Sequence, residues 1–191
     1  HSKQDAWYQM TRDAMSRLFD HCRQEIEAGV EREYVTGNND ADGPFLLRWA
    51  ERNFPHEAEA LRQRLVNWGG NASGEHIANI DNLGNVHPDT FWWDHHLGNV
   101  RHQPFSSIWR DPRDPLMEGF RQRPRPVKGR CSACHYLSIC NGNTRVRAWK
   151  VSGDPWEEDP GCYLTNQEIG VEGKSSRRID APFASISAIE L

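Results

Sequence analysis

No apolar run of the roughly eighteen residues needed for a membrane-spanning helix occurs in the sequence. The opening residues, His1 to Trp7, lack the apolar centre of a secretory signal. Neither charge sign is in large excess: 23 basic against 27 acidic side chains leave a net charge of -4. That excludes a general pull toward nucleic acid or anionic membrane, so neither is expected as a partner. Apolar residues are scarce at 37%, with a mean hydropathy of -0.82, which is lean for a self-sufficient core. Eight tryptophans partly offset this, because each can bury a large area. The five cysteines are odd in number and clustered, unlike a secreted disulfide framework. A reducing, cytoplasmic compartment is expected. The length of 191 residues suits one large domain or two small ones.

What is present centres on Cys131, Cys134, Cys140 and Cys162, spaced Cys-x2-Cys-x5-Cys-x21-Cys. Soft thiolates at short spacing suit an iron–sulfur cluster or a zinc ion. Zinc ribbons commonly use two Cys-x2-Cys knuckles, and only one occurs here. The pattern favours a four-iron cluster, with a zinc-stabilised, non-catalytic binding module as the alternative. Asn141-Gly-Asn143 and Gly153-Asp-Pro155 supply turns for wrapping backbone around such a site.

The rest of the chain reads as α+β. A helix is expected from about Asp5 to Ala28, with Met15, Leu18, Phe19, Cys22 and Ile26 on one face. A short strand, Glu31–Thr36, precedes a polar loop holding Asn38, Asn39, Asp40 and Asp42. On residue type alone these four are ordinary turn and cap residues. Helix follows from Phe45 to Phe54 and, beyond Pro55, from His56 to Trp68, with Leu61, Leu65 and Trp68 on one face. His76–Ile80 and Asn85–Pro88 read as a hairpin turning at Gly84, and the Gly98-Asn99 step as a further turn. One helix is expected within Pro104–Phe120, then a basic connector, Arg121–Arg130, and a helix-prone stretch from Cys162 to Ile169. The end of the chain, 171–191, reads as a weakly patterned surface tail.

The cysteine spacing resembles the second auxiliary cluster of SPASM and twitch domains in radical S-adenosylmethionine enzymes. The Ile80–Pro88 hairpin resembles theirs, as does Leu97-Gly-Asn-Val100 followed by Ser107-Ile-Trp109. The likeness covers about residues 70 to 170. It implies a last helix–strand–helix of a partial α/β (TIM-like) barrel over 1–70, then a twitch/SPASM-like hairpin and [4Fe–4S]-binding domain over 71–170. SPASM domains that hold a first auxiliary cluster carry three further cysteines. Here none lies between Trp68 and Gly74, and the other two positions are Asp89 and Thr144. One cluster set is absent as a whole and the other complete, as in a single-cluster, twitch-like member.

The segments Cys140–Ala148 and Gly153–Cys162 resemble the tetrapyrrole-tailoring branch, including d1-type haem biosynthesis. The resemblance implies removal of propionate side chains from a didecarboxysirohaem precursor, with the auxiliary cluster in electron transfer. It implies S-adenosylmethionine, a second [4Fe–4S] cluster and an electron donor. It also raises Asn38, Asn39, Asp40, Arg145 and Arg147 as substrate- or S-adenosylmethionine-binding candidates. Arg121, Arg123, Arg125, Lys128 and Arg130 either meet substrate carboxylates, form a solvated connector or balance the thiolates' charge. His87, His95, His96 and His135 are candidate iron ligands or proton relays against ordinary structural roles. Trp92, Trp93 and Trp109 are candidate stacking platforms against core packing. The family's catalytic Cys-x3-Cys-x2-Cys motif occurs nowhere in the chain. The expectation is therefore the C-terminal half of an enzyme of about twice the length, inactive alone and missing its N-terminal radical SAM half. A peptide-modifying SPASM enzyme is the alternative within the family.

Overall fold

A computed structural model describes residues 8–37, 39–110 and 113–171. Helix α1 (Tyr8–Glu27) lays Phe19 against Phe45 and Trp49, with ring centroids 6.1 and 5.7 Å apart. Met15 and Leu18 pack beside it, whereas Ile26 is exposed, so the apolar stripe stops a turn before the helix does. The expected strand at Glu31–Thr36 does not form. Val30 to Gly37 is irregular and exposed, and no described segment offers it a ladder. Local polar bonds hold it instead: Arg32 Nη1 donates to Glu25 Oε1 at 2.9 Å, and the Tyr34 hydroxyl donates to the same carboxylate.

Helix α2 (Asp42–Asn53) starts three residues earlier than expected, because Asp42 suits the first turn and Pro44 needs no N–H there. Pro55 separates it from α3 (Ala58–Trp68), which ends on left-handed Gly69. Leu65 of α3 is buried, but Trp68 is exposed rather than part of the packed face. The core continues past residue 70. Phe45 meets Tyr163 edge-on at 5.3 Å, and Ile139, Leu164 and Ile169 share the same cluster. The helices of the first third therefore pack directly on the cysteine-bearing loops.

Strands β1 (Asn79–Ile80), β2 (Asn85–His87) and β3 (Gly98–Asn99) form an antiparallel sheet in that order. Ile80 pairs with Val86, and Val86 with Gly98. The expected hairpin is present, and the Gly-Asn step expected as a turn is its third strand. Asp81 Oδ1 accepts the Leu83 and Asn85 N–H groups, and Gly84 takes the left-handed turn position. His87 is buried beneath it, with Nδ1 2.9 Å from the carbonyls of Trp92 and His95 and Nε2 3.3 Å from Asp81.

The single helix expected within 104–120 is two, α4 (Phe105–Arg110) and α5 (Pro115–Arg121). Asp114 Oδ1 caps α5 through the Met117 N–H at 2.9 Å, and Pro115 cannot continue a preceding helix. A second core joins Phe120, Met117 and Val146 to Trp92, which stacks on Trp149 at 5.3 Å. Cys131–Ala133 forms a 3-10 turn, followed by α6 (Leu137–Cys140) and α7 (Arg145–Ser152).

The stretch after Cys162 is a closed turn, not a helix. Thr165 N–H donates to Glu168 Oε2 while Glu168 N–H donates to Thr165 Oγ1, and Gly170 is left-handed. The tail beyond residue 171 lies outside the described residues. Among the described residues no helix is long and apolar enough to cross a membrane.

Glu168 also docks α1, accepting both Arg12 guanidinium nitrogens at 2.8 Å. Burial alone would raise its pKa, but Arg12 and the Thr165 N–H outweigh that and bring it down to about 2. The resulting stability is present above the ordinary glutamate value of about 4.3 and is lost as pH falls toward 2. We expect Glu168→Gln to cost about 1–2 kcal/mol at pH 7 and to flatten stability against pH across that window. Thermal unfolding of both forms between pH 2 and pH 7 checks this.

Candidate metal centre

Local backbone geometry brings the four cysteines together. In the 3-10 turn the Cys134 N–H donates to the Cys131 carbonyl at 3.3 Å, holding that pair in one bite. Helix α6 presents Cys140 at its last position. The chain then reverses through Asn141, Gly142 and Asn143, all at positive φ, so α7 departs in a new direction. Cys162 returns through a turn in which its N–H donates to the Asp159 carbonyl at 3.1 Å. All four cysteines, with Arg130, line one small pocket beneath α2. Gly70 permits the close approach of the neighbouring loop, since a Cβ there would sit 2.4 Å from the Cys140 carbonyl carbon.

The thiols sit in a dry, N–H-rich setting. The Tyr136 N–H lies 3.4 Å from Cys134 Sγ, and backbone N–H groups of Gly142, Leu164 and Asp159 face Cys140, Cys162 and Cys131. Burial raises all four thiol pKa values, Cys134 to about 11 and Cys162 to about 12, and mutual repulsion among the thiolates adds to it. Such groups deprotonate only when a metal centre takes the charge. Among the described residues no three His, Cys, Asp or Glu side chains converge tightly enough for a single metal ion. All four cysteines face the same small pocket. Four soft donors, each with a backbone N–H aimed at its sulfur, fit an iron–sulfur cluster.

Asp159 is the hinge of the site. Fully buried, it accepts the Thr144 N–H at 3.0 Å, the Gly161 N–H at 2.8 Å and Arg147 Nη2 at 2.7 Å. Sequence reading did not single it out, although an acid before Pro-Gly is a turn signal. Arg145, expected to face substrate, is fully buried instead. Its guanidinium donates to the carbonyls of Gly142, Pro155 and Glu157, so it ties the cysteine loop to the 155–157 turn. Arg147 pairs with Asp159 on the side nearer Asp40. Arg125 is not part of a solvated connector: it is buried and bonded to Asn71, Ser73, Glu75 and Asn141. Of the tryptophans, Trp92 is core, Trp109 stacks on Phe105 and Trp93 is exposed.

The polar loop sits directly beside this site. Asn143 Nδ2 donates to Asn39 Oδ1 at 2.7 Å, the Asp40 N–H donates to Asn143 Oδ1 at 2.8 Å, and Asn39 Nδ2 donates to the Gly161 carbonyl. Asn39 and Asp40 also line a second, open cavity of about 540 Å³; Asn38 lies outside the described residues. Burial raises the Asp40 and Asp42 pKa values. Gly70 to Ser73, Asp89 and Thr144 border the same cavity. These are the places where the resemblance puts ligands of a further cluster. Asp89 instead accepts the Ser73 hydroxyl and the Phe91 N–H.

Comparison with known proteins agrees with this geometry. Residues 72–135 match the SPASM family model, described as an iron–sulfur cluster-binding domain. The pre-heme d1 synthase of Dinoroseobacter shibae is 49% identical over 94% of this chain and 45% of its own length. The Fe-coproporphyrin III synthase of Methanosarcina barkeri is 39% identical over 87% of this chain and 43% of its own length. An AdoMet-dependent heme synthase of the same organism is 42% identical over 34% of this chain and 18% of its own length. No solved structure matches. The chain spans about half the length of the first two relatives. Over most of its length the chain is similar to these two synthases, and residues 72–135 are similar to SPASM iron–sulfur cluster-binding domains.

Proposed function

We propose that this chain is the auxiliary-cluster half of a radical S-adenosylmethionine enzyme that tailors a sirohaem-derived tetrapyrrole, removing propionate side chains on the way to a d1-type haem. The observation that carries the reading is the pocket lined by Cys131, Cys134, Cys140 and Cys162, each sulfur faced by a backbone N–H. An iron–sulfur cluster held there supplies one-electron transfer. Cys131, Cys134, Cys140 and Cys162 would hold it.

The chain's own residues do the rest. Their N–H groups stabilise thiolate charge, and the apolar shell of Tyr136, Leu164 and Ile169 excludes water. Asn143 and Asp159 fix the loop of Asn39 and Asp40 against the cysteine loop. That loop, with Arg147 behind it, is our candidate for the substrate- or S-adenosylmethionine-facing wall of the open cavity. The similarity to a pre-heme d1 synthase and an Fe-coproporphyrin III synthase supports a tetrapyrrole substrate. The catalytic cluster, the electron donor and a TIM-like barrel begun by residues outside this chain belong to the same proposal.

Anaerobic purification with metal analysis tests it. About four irons and about four acid-labile sulfides per chain are expected at this site. One zinc per chain without sulfide would replace the reading with a structural zinc module. Asp40→Asn in the full-length enzyme should leave iron content unchanged and weaken turnover at least tenfold if the loop faces the reacting centre.

A further inference from the structure

Arg130 stands next to Cys131 and lines the cysteine pocket, where Glu158 is its ion-pair partner. Its guanidinium is buried. Nη1 donates to the Leu164 carbonyl at 2.8 Å and to Asn166 Oδ1 at 3.2 Å, and Nη2 donates to the Cys162 carbonyl at 3.4 Å. Those acceptors are neutral. Nε is buried and makes no hydrogen bond. Glu158 Oε2 lies 3.4 Å from Nε and accepts the Arg130 backbone N–H at 3.3 Å. Arg145 is likewise held by neutral acceptors, the carbonyls of Gly142, Pro155 and Glu157, and its charge favours the Cys131 thiolate.

A buried cation beside four thiolates acts through a low dielectric, where its field is weakly screened. A four-thiolate cluster is anionic in both redox states, and reduction adds one more negative charge. A fixed positive charge at this distance favours the reduced state. Arg130 also lowers the cost of ionising Cys162 and Cys134.

We propose that Arg130 is a positioning residue that raises the reduction potential of the cluster held by the four cysteines, with Glu158 opposing it. The inference rests on the cluster reading of that pocket. It sets this potential by a through-space charge, separately from the N–H groups on each sulfur.

The test is an anaerobic redox titration of the full chain, followed by electron paramagnetic resonance, for wild type, Arg130→Gln, Arg130→Lys and Glu158→Gln. Iron and sulfide are counted in each sample. Absence of iron from wild type would defeat the cluster reading itself. With iron present, Arg130→Gln should shift the one-electron equilibrium at least tenfold toward the oxidised form, about 59 mV downward. Arg130→Lys should restore most of that shift, and Glu158→Gln should move the potential upward. A loaded Arg130→Gln protein with an unchanged potential overturns the proposal. If Arg130→Gln fails to hold iron, Glu158→Gln decides: an upward shift supports the proposal, and an unchanged potential overturns it.

Discussion

Serine at position 162 should strip the protein of most of its iron–sulfur absorbance at roughly 400 nm. Cys162 is separated from Cys140 by a whole helix and two turns, so on the proposed assignment it is the ligand that closes the site. Its sulfur lies in a dry pocket where burial lifts the thiol to about 12. A serine hydroxyl there is a far harder, less acidic donor, which soft iron sites hold poorly. The matching control is Cys22→Ser. Cys22 lies on α1 beside the open cavity, away from the cysteine pocket, and its loss should leave the spectrum intact. Full iron and sulfide retention in Cys162→Ser would contradict the four-cysteine assignment.

Arg125→Ala should be the most destabilising change outside the cysteines, by about 3–5 kcal/mol. The side chain is fully buried and joins four segments. Nε donates to the Phe120 carbonyl at 3.2 Å, Nη1 to Asn71 Oδ1 at 2.8 Å and to the Asn141 carbonyl at 3.3 Å, and Nη2 to the Ser73 carbonyl and Glu75 Oε1, each at 3.0 Å. The guanidinium also lies over the Phe120 ring at 4.9 Å. Removing it leaves Glu75 with Arg123 as its remaining ion-pair partner and several buried carbonyls unpaired at once. Because Asn141 begins the turn after Cys140, cluster retention should fall with stability. Denaturant unfolding of the apo and iron-loaded forms measures both. Arg123→Ala, altering a neighbour that is half exposed, should cost less than about 1 kcal/mol.

Glu75, Asn71 and Arg125 show why this clamp was hard to read from the chain. They are polar residues in loops, Arg125 standing about fifty positions from the other two, and no periodicity links them. The Arg121–Arg130 segment looks like a solvated connector because arginine and proline dominate it. Burial of Arg125 and Arg130 depends on acceptor groups that converge only in three dimensions. The same holds for Asp159, whose partners come from Thr144, Arg147 and Gly161. The strand expected at Glu31–Thr36 illustrates the converse limit. β-branched and aromatic residues raise strand propensity, but a strand exists only where another backbone pairs with it.

The cysteine spacing by itself pointed to a soft-metal site, because ligand softness and short-range bite are local properties of the chain. Helix periodicity and the Gly84 turn were local as well, and they placed α1, α2, α3 and the hairpin within a few residues. Only the tertiary structure decided which charged groups surround the pocket. It set Arg145 into the scaffold and buried the Arg130–Glu158 pair beside the thiols. It also drew the loop of Asn39 and Asp40 against the Asn143 turn. Those outcomes turn on desolvation and hydrogen-bond satisfaction, which are sums over groups distant in sequence.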